Sequence, residues 1–182
     1  YTINNAINSK YVNEVFVMTD SLEIKKIAKK NGAKVPFIRP KELSDDHIDI
    51  VNVLKFSLKK IIKLNSKIDL VVIMDETYPI RPKKIIEKML ISLKSNNNNS
   101  IVAIHKEFRK IWLEKNNYIE DFNERMPTMF TESFGLISLF GLCCITTPEL
   151  IFETSILGNN NGYYEIKDPL NSIQVRDKKI FK

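Results

Sequence analysis

One stretch, Glu14–Leu43, reading EVFVMTDSLEIKKIAKKNGAKVPFIRPKEL, constrains the fold of this chain more than any other. Val15-Phe16-Val17-Met18 is a short apolar run rich in β-formers that ends abruptly at Thr19-Asp20. Ser21 is a helix N-cap by type, Ile24, Ile27 and Ala28 recur at helical spacing, and Asn31-Gly32 stops the helix. Val35-Pro36-Phe37-Ile38 begins a second strand, and Arg39-Pro40 turns the chain away. The pattern is a strand–helix–strand unit with small polar residues at the carboxyl end of its first strand, where ligands sit in open parallel sheets.

The rest of the chain continues this rhythm. A helix is predicted over Ile48–Leu64, with Ile50, Val51, Leu54, Leu58, Ile61 and Ile62 as its apolar stripe and Asp45-Asp46 suited to its N-terminus. Leu70–Met74 has the continuous apolar character of a strand buried on both faces. Pro82 opens a helix through Leu93, at the first-turn site that proline favours. Strands are expected near 14–18, 35–38, 69–74, 100–104, 136–145 and 172–175, with a further strand at Tyr163–Ile166, a short helix at Pro148–Phe152, a first helix over Tyr1–Ser9 and a terminal one after the last strand. Alternating strands and helices imply one α/β domain: a three-layer α/β/α sandwich around a mostly parallel sheet.

Composition narrows the function classes. At 43% hydrophobic and 27% charged residues, the chain has the make-up of a globular protein with one core. The net charge of +6 comes from lysines spread along helices, with only five Arg among 28 basic residues, and a bias toward Lys, Asn and Ile explains it better than a nucleic-acid face. No apolar run reaches the ~20 residues of a membrane span. Cys143 and Cys144 are adjacent, which excludes a disulfide framework or zinc site by count and leaves two small buried hydrophobes of a cytosolic protein. His47 and His105 stand alone, and no G-x-S-x-G, G-x-G-x-x-G or Walker loop is present, which disfavours an NAD-dependent Rossmann enzyme.

The run T-D-S-x-E-I-x-x-I-A-x-x-x-G-A-x-V-P-F-x-R-P-x-E-L, from Thr19 to Leu43, resembles the acylneuraminate cytidylyltransferases, also called CMP-sialic acid synthetases. The resemblance implies a nucleotide-diphospho-sugar transferase fold, a homodimer formed through an insertion near 106–127, and CTP and an acidic, nonulosonic-type sugar as partners. It also implies that Thr19, Asp20 and Thr77 line the cleft. The family's Gly-, Arg- and Lys-rich phosphate loop would lie before Tyr1, so the expectation is a domain lacking its first strand and loop.

The motifs expected to carry chemistry depart from that family. Asp75-Glu76-Thr77-Tyr78-Pro79-Ile80-Arg81 stands where the family has Gln-Pro-Thr-Ser-Pro-Leu-Arg. Its acidic pair resembles the Asp-Glu-Pro segment of the KDO cytidylyltransferases, whose Asp helps hold Mg²⁺. Carboxylate oxygens suit a hard cation, Mg²⁺ or Mn²⁺, beside an α-phosphate, so Asp75 is the candidate metal ligand; the alternative is that it caps the turn. Arg81 is expected to meet phosphate or carboxylate. Ser172-Ile173-Gln174-Val175-Arg176-Asp177 resembles the family's Ser-Ile-Asp-Ile-Asp-Thr, with Gln174 and Arg176 in place of two metal-binding Asp. Arg cannot ligate a metal but pairs bidentately with phosphate, so Arg176 and its neighbour Asp177 are the catalytic candidates and Gln174 a binding one; a solvated Arg at a strand edge is the alternative. Phe140-Gly141-Leu142 aligns with the family's Asn-Gly-Ala, which makes Phe140 either a less polar wall of the sugar pocket or a core residue. Two functions stay open: a CMP-sugar-forming nucleotidyltransferase, and a non-catalytic relative that binds nucleotide or sugar.

Overall fold

A computed structural model describes residues 1–45, 47–64, 67–109, 112–116, 118–121 and 135–176. The helices are α1 (Thr2–Ile7), α2 (Leu22–Lys30), α3 (Ile50–Ile62), α4 (Ile85–Ser95) and α5 (Pro148–Phe152). The strands are β1 (Val71–Ile73), β2 (Ser100–Glu107), β3 (Trp112–Lys115), β4 (Tyr118–Asp121), β5 (Gly135–Ser138), β6 (Cys144–Thr146) and β7 (Asn161–Glu165). β3 and β4 form a separate antiparallel hairpin, and the other five strands share one sheet.

Sequence alternation within strands sets the layers. Ile101 and Ala103 of β2, with Val72 and Met74, turn to the face covered by Ile85, Ile86 and Met89 of α4. Val71 and Ile73 turn to the opposite face, against Leu54 and Leu58 of α3 and Ile151 of α5. Helices therefore cover both faces of the sheet, as the alternation implied. Met89 and Ile101 are fully buried, and each such side chain contributes roughly 1.5–3 kcal/mol by leaving water.

The strand directions correct the expectation of a mostly parallel sheet. β6 runs antiparallel to both β1 and β2, and β5 is antiparallel to β2; β7 alone among the described strands of this sheet pairs in parallel, with β2. Parallel pairing requires a crossover, usually helical. Here the chain leaves β2 through the β3–β4 hairpin and returns alongside β2, which reverses it. The expected strand 136–145 is split: β5 follows Ile104–Glu107 and β6 follows Ile101–Val102, while residues 140–142 bulge away between Leu139 and Cys143, which both bond Ala103. Leu142 N–H donates to the Leu139 carbonyl at 2.9 Å, closing a tight turn there.

Other boundaries shift for local reasons. The strands expected at 14–18 and 35–38 reduce to one parallel bridge between Phe16 and Lys34. Ser21 does cap α2, its hydroxyl accepting from Ile24 N–H at 3.3 Å, and Gly32 ends it at φ 85°, a value that glycine adopts without strain. Of the α2 apolar stripe only Ala28 is buried, because the narrow bridge beneath offers little to pack on. Asp49 caps α3 through Val51 N–H at 2.9 Å, in place of the acidic pair before it; Asp46 lies outside the described residues. α4 begins at Ile85 and not Pro82, after Lys84 takes a left-handed backbone at φ 57°. Residues 173–176 join no strand, and the expected terminal helix lies outside the described residues.

Candidate functional site

The segment that follows β1 is folded back by a buried cation. Arg81 is 8% exposed, and each of its three guanidinium nitrogens is engaged. Nε donates to the Leu142 carbonyl at 2.9 Å. One terminal nitrogen donates to the Tyr78 carbonyl and, at 2.7 Å, to Thr2 Oγ1. The other donates to the Asp75 carbonyl and, at 3.1 Å, to that of Gly141. These acceptors exist because the β5–β6 strand is interrupted: the bulge turns the Gly141 and Leu142 carbonyls away from β2 and toward the Asp75 turn. Burial lowers the Arg81 pKa from its ordinary value, but a guanidinium remains charged in proteins. Arg81, expected to meet a ligand, here directs its donors to four main-chain carbonyls and the Thr2 hydroxyl.

Asp75 is gripped on both sides. Its N–H donates to the Gly141 carbonyl at 2.7 Å, its own carbonyl accepts from Arg81 and from Thr2 Oγ1, and its Oδ1 accepts from Thr77 N–H at 3.0 Å. Oδ2 makes no hydrogen bond among the described residues. Glu76 beside it is exposed. The fit is close on the other flank too, since a Cβ built on Gly141 would fall 2.6 Å from Asp75 Cβ and 3.1 Å from the Tyr78 ring.

The late segment straps onto this turn. Val175 N–H donates to the Thr77 carbonyl at 2.7 Å, and Gln174 Nε2 donates to Thr77 Oγ1 at 3.1 Å. Arg176 is exposed, and its charge reaches Tyr78. Burial pushes the Tyr78 phenol pKa up, opposed by Arg176 and, more weakly, by Arg81. Asp75, Thr77, Gln174 and Arg176 are thus brought to one place, while Asp177 lies outside the described residues.

Thr19 and Asp20 make a second group at the end of the 15–18 segment. Thr19 is buried; its Oγ1 accepts from Ser21 N–H at 3.0 Å and its carbonyl from Arg39 N–H at 2.9 Å. Asp20 lies 3.8 Å from the Arg39 guanidinium, which also donates to Ser44 Oγ. No hydrogen bond or ion pair among the described residues joins this group to Asp75. Phe140 packs with Val102, Ile104, Cys144 and Ile156 in the apolar layer on the α5 side, so the structure brings it to the core and not to the Asp75 turn.

Thr2 and Gly141 were absent from the sequence-level site. Nothing in the sequence distinguishes Thr2 from its neighbours. Gly141 carried a readable signal, because a glycine inside a strand pattern often marks a bulge or a close backbone approach.

The chain as a whole is similar to known proteins. Residues 1–127 match the family described as Cytidylyltransferase. Pseudaminic acid cytidylyltransferase from Campylobacter jejuni (strain NCTC 11168) is 32% identical over 130 residues, which cover 69% of this chain and 56% of that protein. CMP-N,N'-diacetyllegionaminic acid synthase from Legionella pneumophila is 28% identical over 104 residues, covering 57% of this chain and 44% of that protein. The chain therefore spans about half the length of the curated relatives it matches. Among solved structures, CMP:2-keto-3-deoxy-manno-octonic acid synthetase complexed with CTP superposes with a TM-score of 0.64 at 14% identity, covering 90% of this chain and 76% of that one. A 4-diphosphocytidyl-2C-methyl-D-erythritol synthase from Anaerococcus prevotii gives 0.63 at 15% identity, covering 99% and 81%. At such identities the likeness is one of fold, and it is the match over residues 1–127 that settles the lineage: this chain belongs to the cytidylyltransferase family.

Proposed function

We propose that this protein works as a CMP-sugar synthetase, activating an acidic nonulosonic-type sugar with CTP. The observation that carries the reading is the built turn at Asp75–Arg81, set at the carboxyl end of β1 and strapped by Gln174 and Val175, in a chain whose relatives are named for pseudaminic and legionaminic acids. The sugar hydroxyl oxygen would form a bond to the α-phosphorus of CTP as the bond to pyrophosphate breaks and the hydroxyl proton is released. Thr77 and Gln174 offer polar groups to the bound partners, and Arg176 offers an exposed guanidinium for a phosphate or carboxylate.

A divalent cation, Mg²⁺ or Mn²⁺, fits the donor set. Such ions take one or two carboxylates and complete their shell with water and substrate phosphate. Asp75 has one oxygen held by Thr77 N–H and one left over, with the exposed Glu76 next to it. When bound, the ion would supply charge neutralisation on the phosphates.

Thr19 and Asp20 would contribute a second wall of the cleft. We read the protein as a cytoplasmic homodimer. Cys143 and Cys144 are buried free thiols, in keeping with a reducing compartment, and no described helix is long and apolar enough to cross a membrane. Trp112, Tyr118 and Ile119 on the β3–β4 hairpin are more than half exposed, an apolar surface suited to a second copy.

Pyrophosphate release, measured with four nucleoside triphosphates against a panel of acidic sugars, tests the reading. Release with CTP and a nonulosonic acid is the expected result. A second reading is favoured by one observation: Gln174 and Arg176 stand where the resemblance implies two metal-binding carboxylates. Nucleotide binding without release under any combination would establish that binding-only alternative.

A further inference from the structure

Taking a guanidinium out of water is costly even after the surroundings relax. Arg81 makes no ion pair among the described residues that would offset this, and its compensation comes from four main-chain carbonyls and one hydroxyl. Such a group is an expensive way to stabilise a turn, because a packed apolar side chain of similar volume often does as well. What the guanidinium adds is direction. Its planar fork fixes the carbonyls of Asp75, Tyr78, Gly141 and Leu142 relative to one another.

The constraints converge on Asp75. Thr2 Oγ1 accepts from Arg81 and itself donates to the Asp75 carbonyl at 3.3 Å, so two donors hold that carbonyl while the Gly141 carbonyl holds the Asp75 N–H. With both peptide flanks fixed and Oδ1 held by Thr77, only Oδ2 is left to face a partner. Thr2 lies on α1, so the first helix is tied directly to this turn.

We propose that Arg81 and Thr2 are positioning residues that aim the Asp75 carboxylate at a divalent cation. The inference rests on the reading that Asp75 is a ligand of that cation. Mg²⁺ and Mn²⁺ are demanding in ligand geometry, and groups that orient a ligand are commonly worth 10–100-fold in metal affinity.

The test is Mn²⁺ titration of the protein in the presence of CTP, followed by electron paramagnetic resonance, with circular dichroism to confirm folding. Arg81→Lys keeps the charge and loses the fork; Thr2→Val keeps the shape and loses the hydroxyl, and is the milder variant should Arg81→Lys fail to fold. Both are expected to weaken Mn²⁺ binding, Arg81→Lys by about tenfold or more. In an Asp75→Asn background neither should weaken it further, because their effect passes through that carboxylate. Equal losses with and without Asp75 would mark a general structural role and overturn the proposal. Asp75→Asn that weakens binding while Thr2→Val and Arg81→Lys do not would overturn the positioning role alone. Asp75→Asn without effect would overturn the ligand reading and the positioning role together.

Discussion

Gly141 touches Asp75 on the side where any other residue would carry its Cβ, at a separation of 2.6 Å from the Asp75 Cβ. Real Cβ atoms do not approach so closely, so one of the two segments must move if Gly141 is replaced. Gly141→Ala is expected to lower stability by about 1–3 kcal/mol, the usual range for overpacking, and to weaken divalent-linked CTP binding because Asp75 is displaced. Urea denaturation and nucleotide titration check the two parts separately. An unchanged urea midpoint would show that the turn yields freely.

Arg176 separates this chain from the pattern its family resemblance implies. Arg176→Asp restores a carboxylate there but is expected to weaken CTP binding, since a charge-assisted contact with phosphate is worth roughly 1.5–3 kcal/mol. Titration with and without Mg²⁺ decides between outcomes. A gain in metal-dependent binding or turnover would identify Arg176 as a lesion in a decayed site. No change would leave it a solvated side chain.

Stability should fall at high pH for a defined reason. Burial pushes the thiols of Cys143 and Cys144 up to about 12 from an ordinary value of 9.0. Above pH 9 the unfolded chain releases these protons while the native state keeps them, so stability declines from about pH 9 toward pH 12. Chemical denaturation from pH 8 to pH 11 measures the slope, which Cys144→Ala should reduce. A matching result is that a thiol reagent labels neither cysteine until the protein unfolds.

Ile119 on the hairpin is 63% exposed. If the proposed homodimer forms through this hairpin, Ile119→Lys shifts it toward monomer without loss of secondary structure, as measured by light scattering over a concentration series. A parent protein that is monomeric at high concentration would refute the dimer.

Much of the local structure was legible. Ser21, Gly32 and the Val51, Leu54, Leu58 and Ile61 part of the α3 stripe signal themselves through nearest neighbours, while Ile50 and Ile62 of that stripe are exposed, and Leu70–Met74 announced β1 by composition. Strand direction was not legible, because pairing joins residues far apart and the alternation of elements says nothing about a hairpin returning the chain to β2. The site divided along the same line. Asp75, Thr77, Gln174 and Arg176 were named from motif resemblance and lie together. Arg81 was placed at a ligand because an arginine beside a polar motif reads as a phosphate binder; its acceptors, the carbonyls of Gly141 and Leu142, belong to every residue type and leave no mark in a sequence. Phe140 was legible only as two options, pocket wall or core, and its half-buried packing against Val102, Ile104 and Cys144 goes with the second.

The bond from Gln174 to Thr77 closes a loop 97 residues long. Bringing such distant segments together costs chain entropy that local contacts do not repay, so closures of this kind form late. During synthesis the sheet can pair and α4 can dock while the Thr77 turn still lacks its strap, which arrives only once Gln174, 97 residues further on, has left the ribosome. The sheet would thus be in place before the Thr77 turn receives the contact that fixes its outer side.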